Sequence, residues 1–243
     1  MNERVWKGFR RIDFTFEGMD AILVFPTVPN GKGRWMLKTE YFGAFPALEA
    51  EMLRRGYHLA YLKAKERCGT DTETAAKVEF IKYVSEKYGL EKKCIPIGMS
   101  CGGLQAIKLA GMAPELVSVL YLDAPVVNFM SWPMGLGNCP IYTSEKVQRE
   151  LLDAYGLTMT TFISFREHPL DKLPILIANR IPAVLVYGDR DLSVPYEENG
   201  KLVREAYEKT DIPFVAFCKP GGDHHPHCLP DNTPIIEFLE KYS

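Results

Sequence analysis

The sequence predicts an α/β fold: a mostly parallel central sheet, entered through an antiparallel hairpin, with helices on both faces. Three observations carry this expectation. Short apolar runs suited to burial on both faces recur along the chain. Helical periodicity fills most of the intervals between them, and the opening "RIDFTFEGMDAILVFP" alternates before it turns. With 243 residues, 47% of them hydrophobic, the chain can bury one full core, so 1–243 is read as a single domain.

In the opening stretch Ile12, Phe14 and Phe16 share one strand face, Gly18 to Asp20 turn the chain, and Ala21 to Phe25 return as an apolar run. Six strands follow: "RWMLKTE" (34–40), "YHLAYLK" (57–63), "KCIPIGM" (93–99), "VSVLYLDAP" (117–125), "PAVLVYGD" (182–189) and "PFVAFCKP" (213–220). Between the second and third, Thr70 and Glu73 have capping-box spacing, Val78, Ile81, Val84 and Tyr88 recur at helical intervals, and Gly89 stops the helix. The last helix is expected to start with Thr233 as N-cap and Pro234 in the first turn. Only the segment from about 126 to 180 breaks the alternation. It is too long for an ordinary connection and reads as a cap or lid inserted above the sheet.

Composition narrows the function. The 29 basic and 31 acidic residues give a net charge of -2, which offers no positive field for a phosphate backbone, so no nucleic-acid partner is expected. No apolar run reaches the roughly 20 residues of a membrane span, and the first residues carry charges but no apolar core of a signal. Six cysteines lack CxxC spacing and read as reduced thiols, giving a cytoplasmic expectation.

The chemistry begins at "IPIGMSCGGLQAIKLAG", where an apolar strand runs into Gly98-Met99-Ser100-Cys101-Gly102 and a helix starts at once. A G-x-S-x-G turn between strand and helix presents its serine at the apex, and the small flanking residues give room for a sharp, strained turn. Ser100 is therefore the candidate nucleophile, and the amide of Cys101, at the positive end of the helix, the candidate first donor to an oxyanion. The Cys101 thiol is a weaker rival, because it points one step into the helix.

A serine hydroxyl needs a base, and the base needs an orienting carboxylate. "GDRDLSVP" supplies Asp189 and Asp191 past a strand end; Asp191 lies further out in the loop and is preferred, with Asp189 read as a loop-fixing acceptor and Asp123 held in reserve. The loop after the last strand, "GGDHHPHC", supplies the imidazole: His224 first, then His225, then His227. The same loop could be read as a metal site, but so many ligands in one extended turn cannot converge on a single ion, and no metal or other cofactor is expected.

Together "GMSCGG", "GDRDLSVP", "GGDHHPH", the opening hairpin and the insertion after "YLDAPV" resemble the α/β-hydrolase superfamily over essentially the whole chain. Within it, "KTEYFGAFPALEAEMLRRGYHLAYL" and "KPGGDHHPHCLPDNTPIIEFL" are similar to an uncharacterised bacterial subgroup often found beside carbohydrate-degrading enzymes. The resemblance implies a serine hydrolase with Ser100, His224 and Asp191 as its triad. Where the superfamily carries a His-Gly segment for the second oxyanion donor, this chain reads Thr39-Glu40-Tyr41, leaving the amides of Glu40 and Tyr41 as alternatives. The Glu40 side chain would either bind a hydroxylated substrate or anchor the loop.

The expected activity is hydrolysis of a small-molecule ester with a short acyl group. Trp132, Glu40, His225 and His227 are the expected substrate contacts, Asn128 and Asn138 further polar rim residues, and Phe129, Met134, Tyr142 and Phe162 cap residues that line the pocket or only pack the cap. A peptidase, a thioesterase and a non-catalytic binding module on the same fold are the alternatives.

Overall fold

The computed structural model describes residues 2–243. Nine strands form one sheet, β1 (Asn2–Trp6), β2 (Phe9–Phe16), β3 (Met19–Val24), β4 (Trp35–Lys38), β5 (His58–Leu62), β6 (Ile95–Met99), β7 (Leu120–Asp123), β8 (Ala183–Gly188) and β9 (Phe214–Lys219). Their spatial order is β1-β2-β3-β5-β4-β6-β7-β8-β9. The first three are an antiparallel meander, β3 meets β5 antiparallel, and every pairing from β5 to β9 is parallel.

The expected strands all form; the two of the hairpin start earlier than expected, and the six that follow are each a residue or more shorter at one or both ends, because the flanking residues turn away to make loops. The sequence reading lacked β1. "NERVW" is exposed along most of its length and has no buried face to reveal it, yet it pairs residue for residue with β2 from Asn2↔Asp13 to Trp6↔Phe9.

Eight α-helices flank the sheet: α1 (Ala47–Arg54), α2 (Asp71–Tyr88), α3 (Cys101–Met112), α4 (Glu145–Tyr155), α5 (Met159–Phe162), α6 (Leu173–Ala178), α7 (Gly200–Tyr207) and α8 (Thr233–Tyr242). Alternation along the strands divides the core between two faces. Val184 and Val186 of β8 meet Leu48, Met52 and Leu53 of α1 and Ile235, Ile236 and Leu239 of α8. Ala183 and Leu185 point the other way, toward Ala106 and Ile107 of α3, Leu176 of α6 and Tyr207 of α7.

Two helix starts differ in detail from the expected ones. Thr70 does accept from the Glu73 amide (3.4 Å), but the Glu73 carboxylate turns to the Lys65 amide (3.1 Å), and Glu66 serves the Thr70 amide instead (2.9 Å). At the last helix Thr233 is already helical and Asn232 precedes it, with Asp231 accepting from the Thr233 amide at 2.9 Å.

The segment 126–180 is not uniformly a cap. Helices α4 and α5 lie over the sheet edge, where Phe129, Met134, Leu151 and Phe162 form a cluster with Cys101 and Leu104 of α3. The 3-10 turn Pro169–Lys172 and α6 instead belong to the layered body, since Leu173 and Leu176 pack into the α3 side of the main core. His168 joins the two parts: its Nδ1 accepts from the Phe129 amide (3.1 Å), with the ring packed against Phe129, Phe162 and Phe165.

Candidate active site

The five neighbouring parallel strands β4, β6, β7, β8 and β9 end at the same sheet edge, so the loops that follow them converge there. The Ser100 loop follows β6, Asp123 ends β7, Asp191 lies just beyond β8, and the histidine loop follows β9.

Ser100 sits at φ 54°, ψ -122°, a conformation outside the ordinary β and helical wells. The turn is held from both sides: its amide donates to the Asp123 carbonyl (2.9 Å) and its carbonyl accepts from Gly103 and Val126 (2.9 and 3.1 Å). Glycines make the turn possible. A Cβ on Gly98 would stand 2.7 Å from the Gly102 carbonyl oxygen, and one on Gly102 would stand 3.0 Å from Thr39 Oγ1.

The geometry then links three residues far apart in sequence. Ser100 Oγ lies 3.0 Å from His224 Nε2, and His224 Nδ1 lies 2.7 Å from Asp191 Oδ2. The other Asp191 oxygen accepts from the Ser193 and Val194 amides, both at 2.8 Å, which fixes the carboxylate in its plane. With Asp191 Oδ2 accepting the hydrogen bond from the Nδ1–H, the Nε2 lone pair faces the serine hydroxyl. His224 and Asp191 are both buried. Asp189 does not join them; it accepts from the Gly221 amide (2.7 Å) and ties the histidine loop to the end of β8.

A cleft of about 350 Å³ opens over this group, lined by Tyr41, Ala44, Phe45, Met99, Ser100 and the three histidines His224, His225 and His227. His225 is the exposed member, stacked on Phe45 with ring centroids 5.1 Å apart. His227 is buried, and its Nδ1 lies 3.1 Å from Asp123 Oδ1. A ring nitrogen from each histidine lies within 4.8 Å of the others, close enough to gather a metal ion. Such an ion would have to separate His224 from Ser100, however, because both nitrogens of that ring are already engaged.

The amide of Cys101, first residue of α3, has no acceptor within its helix and stands next to the Ser100 hydroxyl. The thiol itself is sealed in the cap cluster, and burial pushes its pKa up to about 11, which removes it as a nucleophile near neutral pH. Of the two further candidate donors, Tyr41 lines the cleft with its backbone at φ 57°, and its amide makes only a long contact (3.3 Å) to Glu40 Oε1. Burial pushes the Tyr41 hydroxyl far above its ordinary value, so it stays protonated.

Two of the expected substrate contacts, Glu40 and Trp132, do not line this cleft, and for Glu40 the geometry matches the loop-anchoring alternative. The Glu40 carboxylate turns away from the cleft and accepts from Gln105 Nε2 (2.8 Å), an anchor for the loop after β4. Trp132 lies instead near Arg67, 5.8 Å from guanidinium to ring, where Arg67 also forms a two-pronged ion pair with Glu150 of α4. Phe129, Met134 and Phe162 are buried in the cap rather than lining the cleft, and Tyr142 is exposed. Asn128 accepts from the Met130 amide, and the exposed Asn138 donates its amide to Glu198, so both are used in loop structure. The lining residues that sequence reasoning missed, Ala44 and Phe45, lie in a loop with no periodicity to mark them.

No protein-family model matches the sequence, and no curated protein matches it. Solved structures do. Puromycin hydrolase superposes with a TM-score of 0.69 at 15% identity over 96% of this chain, which spans 38% of that one. TT1662 from Thermus thermophilus gives 0.61 at 15% identity, covering 96% of this chain and 98% of that one. The carboxylesterase Cest-2923 from Lactobacillus plantarum WCFS1 gives 0.62 at 13% identity, covering 89% and 84%. The chain therefore has the α/β-hydrolase fold.

Proposed function

We propose that this protein is a serine hydrolase that cleaves a short-acyl ester. The observation that carries the reading is the continuous hydrogen-bonded line from Ser100 Oγ through His224 to Asp191, at 3.0 and 2.7 Å. In this reading His224 Nε2 takes the hydroxyl proton as Ser100 Oγ attacks the ester carbonyl, and Asp191 stabilises the imidazolium that results. The tetrahedral oxyanion accepts hydrogen bonds from the Cys101 amide and from the loop at Glu40–Tyr41, where the weakly engaged Tyr41 amide is the favoured second donor. His224 returns its proton to the leaving alkoxide, an acyl-enzyme remains, and water activated by the same imidazole releases the acid. The residues present complete this cycle without a metal or a cofactor.

Similarity to a carboxylesterase, together with a cleft of about 350 Å³, favours an ester with a small acyl group. Similarity to puromycin hydrolase keeps an amide-cleaving reading as the alternative, since both bonds pass through the same kind of tetrahedral intermediate. Thioester cleavage is possible on the same machinery. A reduced, cytoplasmic setting is supported by six free cysteines, and no helix among the described residues is long and apolar enough to cross a membrane.

The test is labelling with a fluorophosphonate probe followed by peptide mapping. The expected result is one adduct, on Ser100, that is absent from Ser100→Ala. A folded protein that takes no label is a binding module on a hydrolase fold.

A further inference from the structure

The cleft contains a second carboxylate-backed imidazole that the proposed triad does not use. Asp123 is completely buried at the end of β7, and both its oxygens are engaged. Oδ2 accepts from the Tyr121 hydroxyl (2.9 Å) and the Cys228 amide (2.5 Å), while Oδ1 faces His227 Nδ1 (3.1 Å) and, further off, Lys219 Nζ (3.7 Å). Burial pushes the Asp123 pKa up, but His227, Lys219 and the Cys228 amide outweigh it and hold the carboxyl below its ordinary value. Asp123 Oδ1 is the acceptor facing His227 Nδ1, so in the neutral ring Nδ1 carries the proton and Nε2 the lone pair.

No protein group among the described residues donates to His227 Nε2, although the same ring lines the cleft beside Ser100. His224 and His227 thus stand 5.1 Å apart, centroid to centroid, each fixed through Nδ1 by its own aspartate. One pair ends on the serine. The other ends on a ring that lines the cleft.

We propose that Asp123 and His227 form a substrate-recognition pair, with His227 Nε2 accepting a hydrogen bond from a hydroxyl of the bound ester. The class of substrate is a hydroxyl-bearing ester such as an acylated sugar. A donor is required because the free position is a lone pair. A neutral donor fits because no carboxylate lines the cleft, Asp123 and Asp191 being buried behind their imidazoles, which leaves an ammonium group without a counter-charge there. Phe45, whose ring meets that of His227 edge-on at 5.1 Å, offers an apolar surface beside the acceptor, as the mixed faces of a sugar require. Asp123 is the positioning residue: it acts only through the tautomer and orientation it imposes.

The proposal rests on the serine-hydrolase reading, and the test separates the two. Acetate release is measured for monoacetylated methyl glycosides and glyceryl monoacetate against p-nitrophenyl acetate and propyl acetate, in the wild type, His227→Leu, His227→Gln and Asp123→Asn. His227→Leu is expected to lower kcat/KM on the hydroxylated esters about tenfold more than on the hydroxyl-free ones, mainly through KM, as loss of one hydrogen bond to a buried partner predicts. Asp123→Asn should shift the ratio in the same direction, and His227→Gln, which keeps a polar group near the Nε2 position, should restore most of it. Fluorophosphonate labelling of Ser100 in each variant separates a misfolded site from a lost contact. Equal losses on both substrate groups, or wild-type turnover confined to the hydroxyl-free esters, overturn the recognition pair and leave the triad standing. A wild type that neither cleaves any ester nor takes the label overturns the triad itself, and the recognition pair with it.

Discussion

Gly98 and Gly103 pass so closely that a Cβ on Gly98 would stand 2.8 Å from the Gly103 Cα, with the Gly102 carbonyl oxygen (2.7 Å) and Ala106 Cβ (2.9 Å) on its other sides. The strand before Ser100 and the helix after it therefore meet backbone to backbone. Two of the three contacts are main-chain atoms and cannot move aside without shifting α3. Gly98→Ala is expected to lower stability by about 1–3 kcal/mol, as overpacking does elsewhere, and to reduce labelling of Ser100 along with it. A urea midpoint unchanged from wild type would mean that the turn has slack the geometry denies.

Ser100→Ala should fold like the wild type, since the hydroxyl contributes nothing to packing, yet lose roughly four or more orders of magnitude in ester turnover. The check is acetate release by the purified variant at high enzyme concentration. Substantial residual turnover would exclude Ser100 as nucleophile.

The two aspartates after β8 should behave very differently. Asp191→Asn keeps the shape but presents the wrong hydrogen-bonding group to His224 Nδ1, and a loss of about 10⁴ in kcat is expected. The Asp189 carboxylate accepts from the Gly221 amide and has no hydrogen bond to an imidazole, so Asp189→Asn should cost less than tenfold. Comparable losses in both would send the choice of acid back to the loop as a whole.

Acid should weaken the fold through His168. Burial pushes its pKa below the ordinary 6.5, and its Nδ1 is occupied in accepting from the Phe129 amide. The unfolded chain then binds a proton more readily than the folded one. The contribution is fully present above the unfolded pKa of about 6.5 and is lost as pH falls through the lower folded value. His58, whose pKa burial also lowers, adds to the trend with the same sign. Tm is expected to fall between pH 7.5 and 5, and His168→Asn, which offers an acceptor that does not titrate, should flatten the slope. An unchanged slope in that variant would assign the acid sensitivity elsewhere.

Chelation by EDTA should leave turnover intact while His224→Ala abolishes it, because each step of the proposed reaction is carried by side chains and backbone amides. One bound equivalent of zinc in the purified protein, with activity lost on its removal, would reassign the three clustered histidines as a metal site.

Much of this molecule is legible along the chain. Local periodicity sets each buried strand, because a strand covered on both faces, such as Ile95–Met99 or Ala183–Gly188, must be almost wholly apolar. The Ser100 turn announces itself because its crowding admits only small residues within a few positions. Such signals are local, and the sequence contains them whole. It does not contain β1, whose pairing with β2 supplies what its own exposed residues do not show, nor the direction in which a polar side chain turns at a loop. Glu40 facing Gln105, Trp132 lying by Arg67 and the cap aromatics closing on one another all depend on neighbours distant in the chain. The pairing of carboxylates with imidazoles is the sharpest case. Asp191 reaches His224 across 33 residues and Asp123 reaches His227 across 104. Either aspartate is chemically able to serve either ring; only the register of the parallel strands, which sets Met99 beside Asp123 and Gly188 beside Lys219, brings each acid to its own histidine.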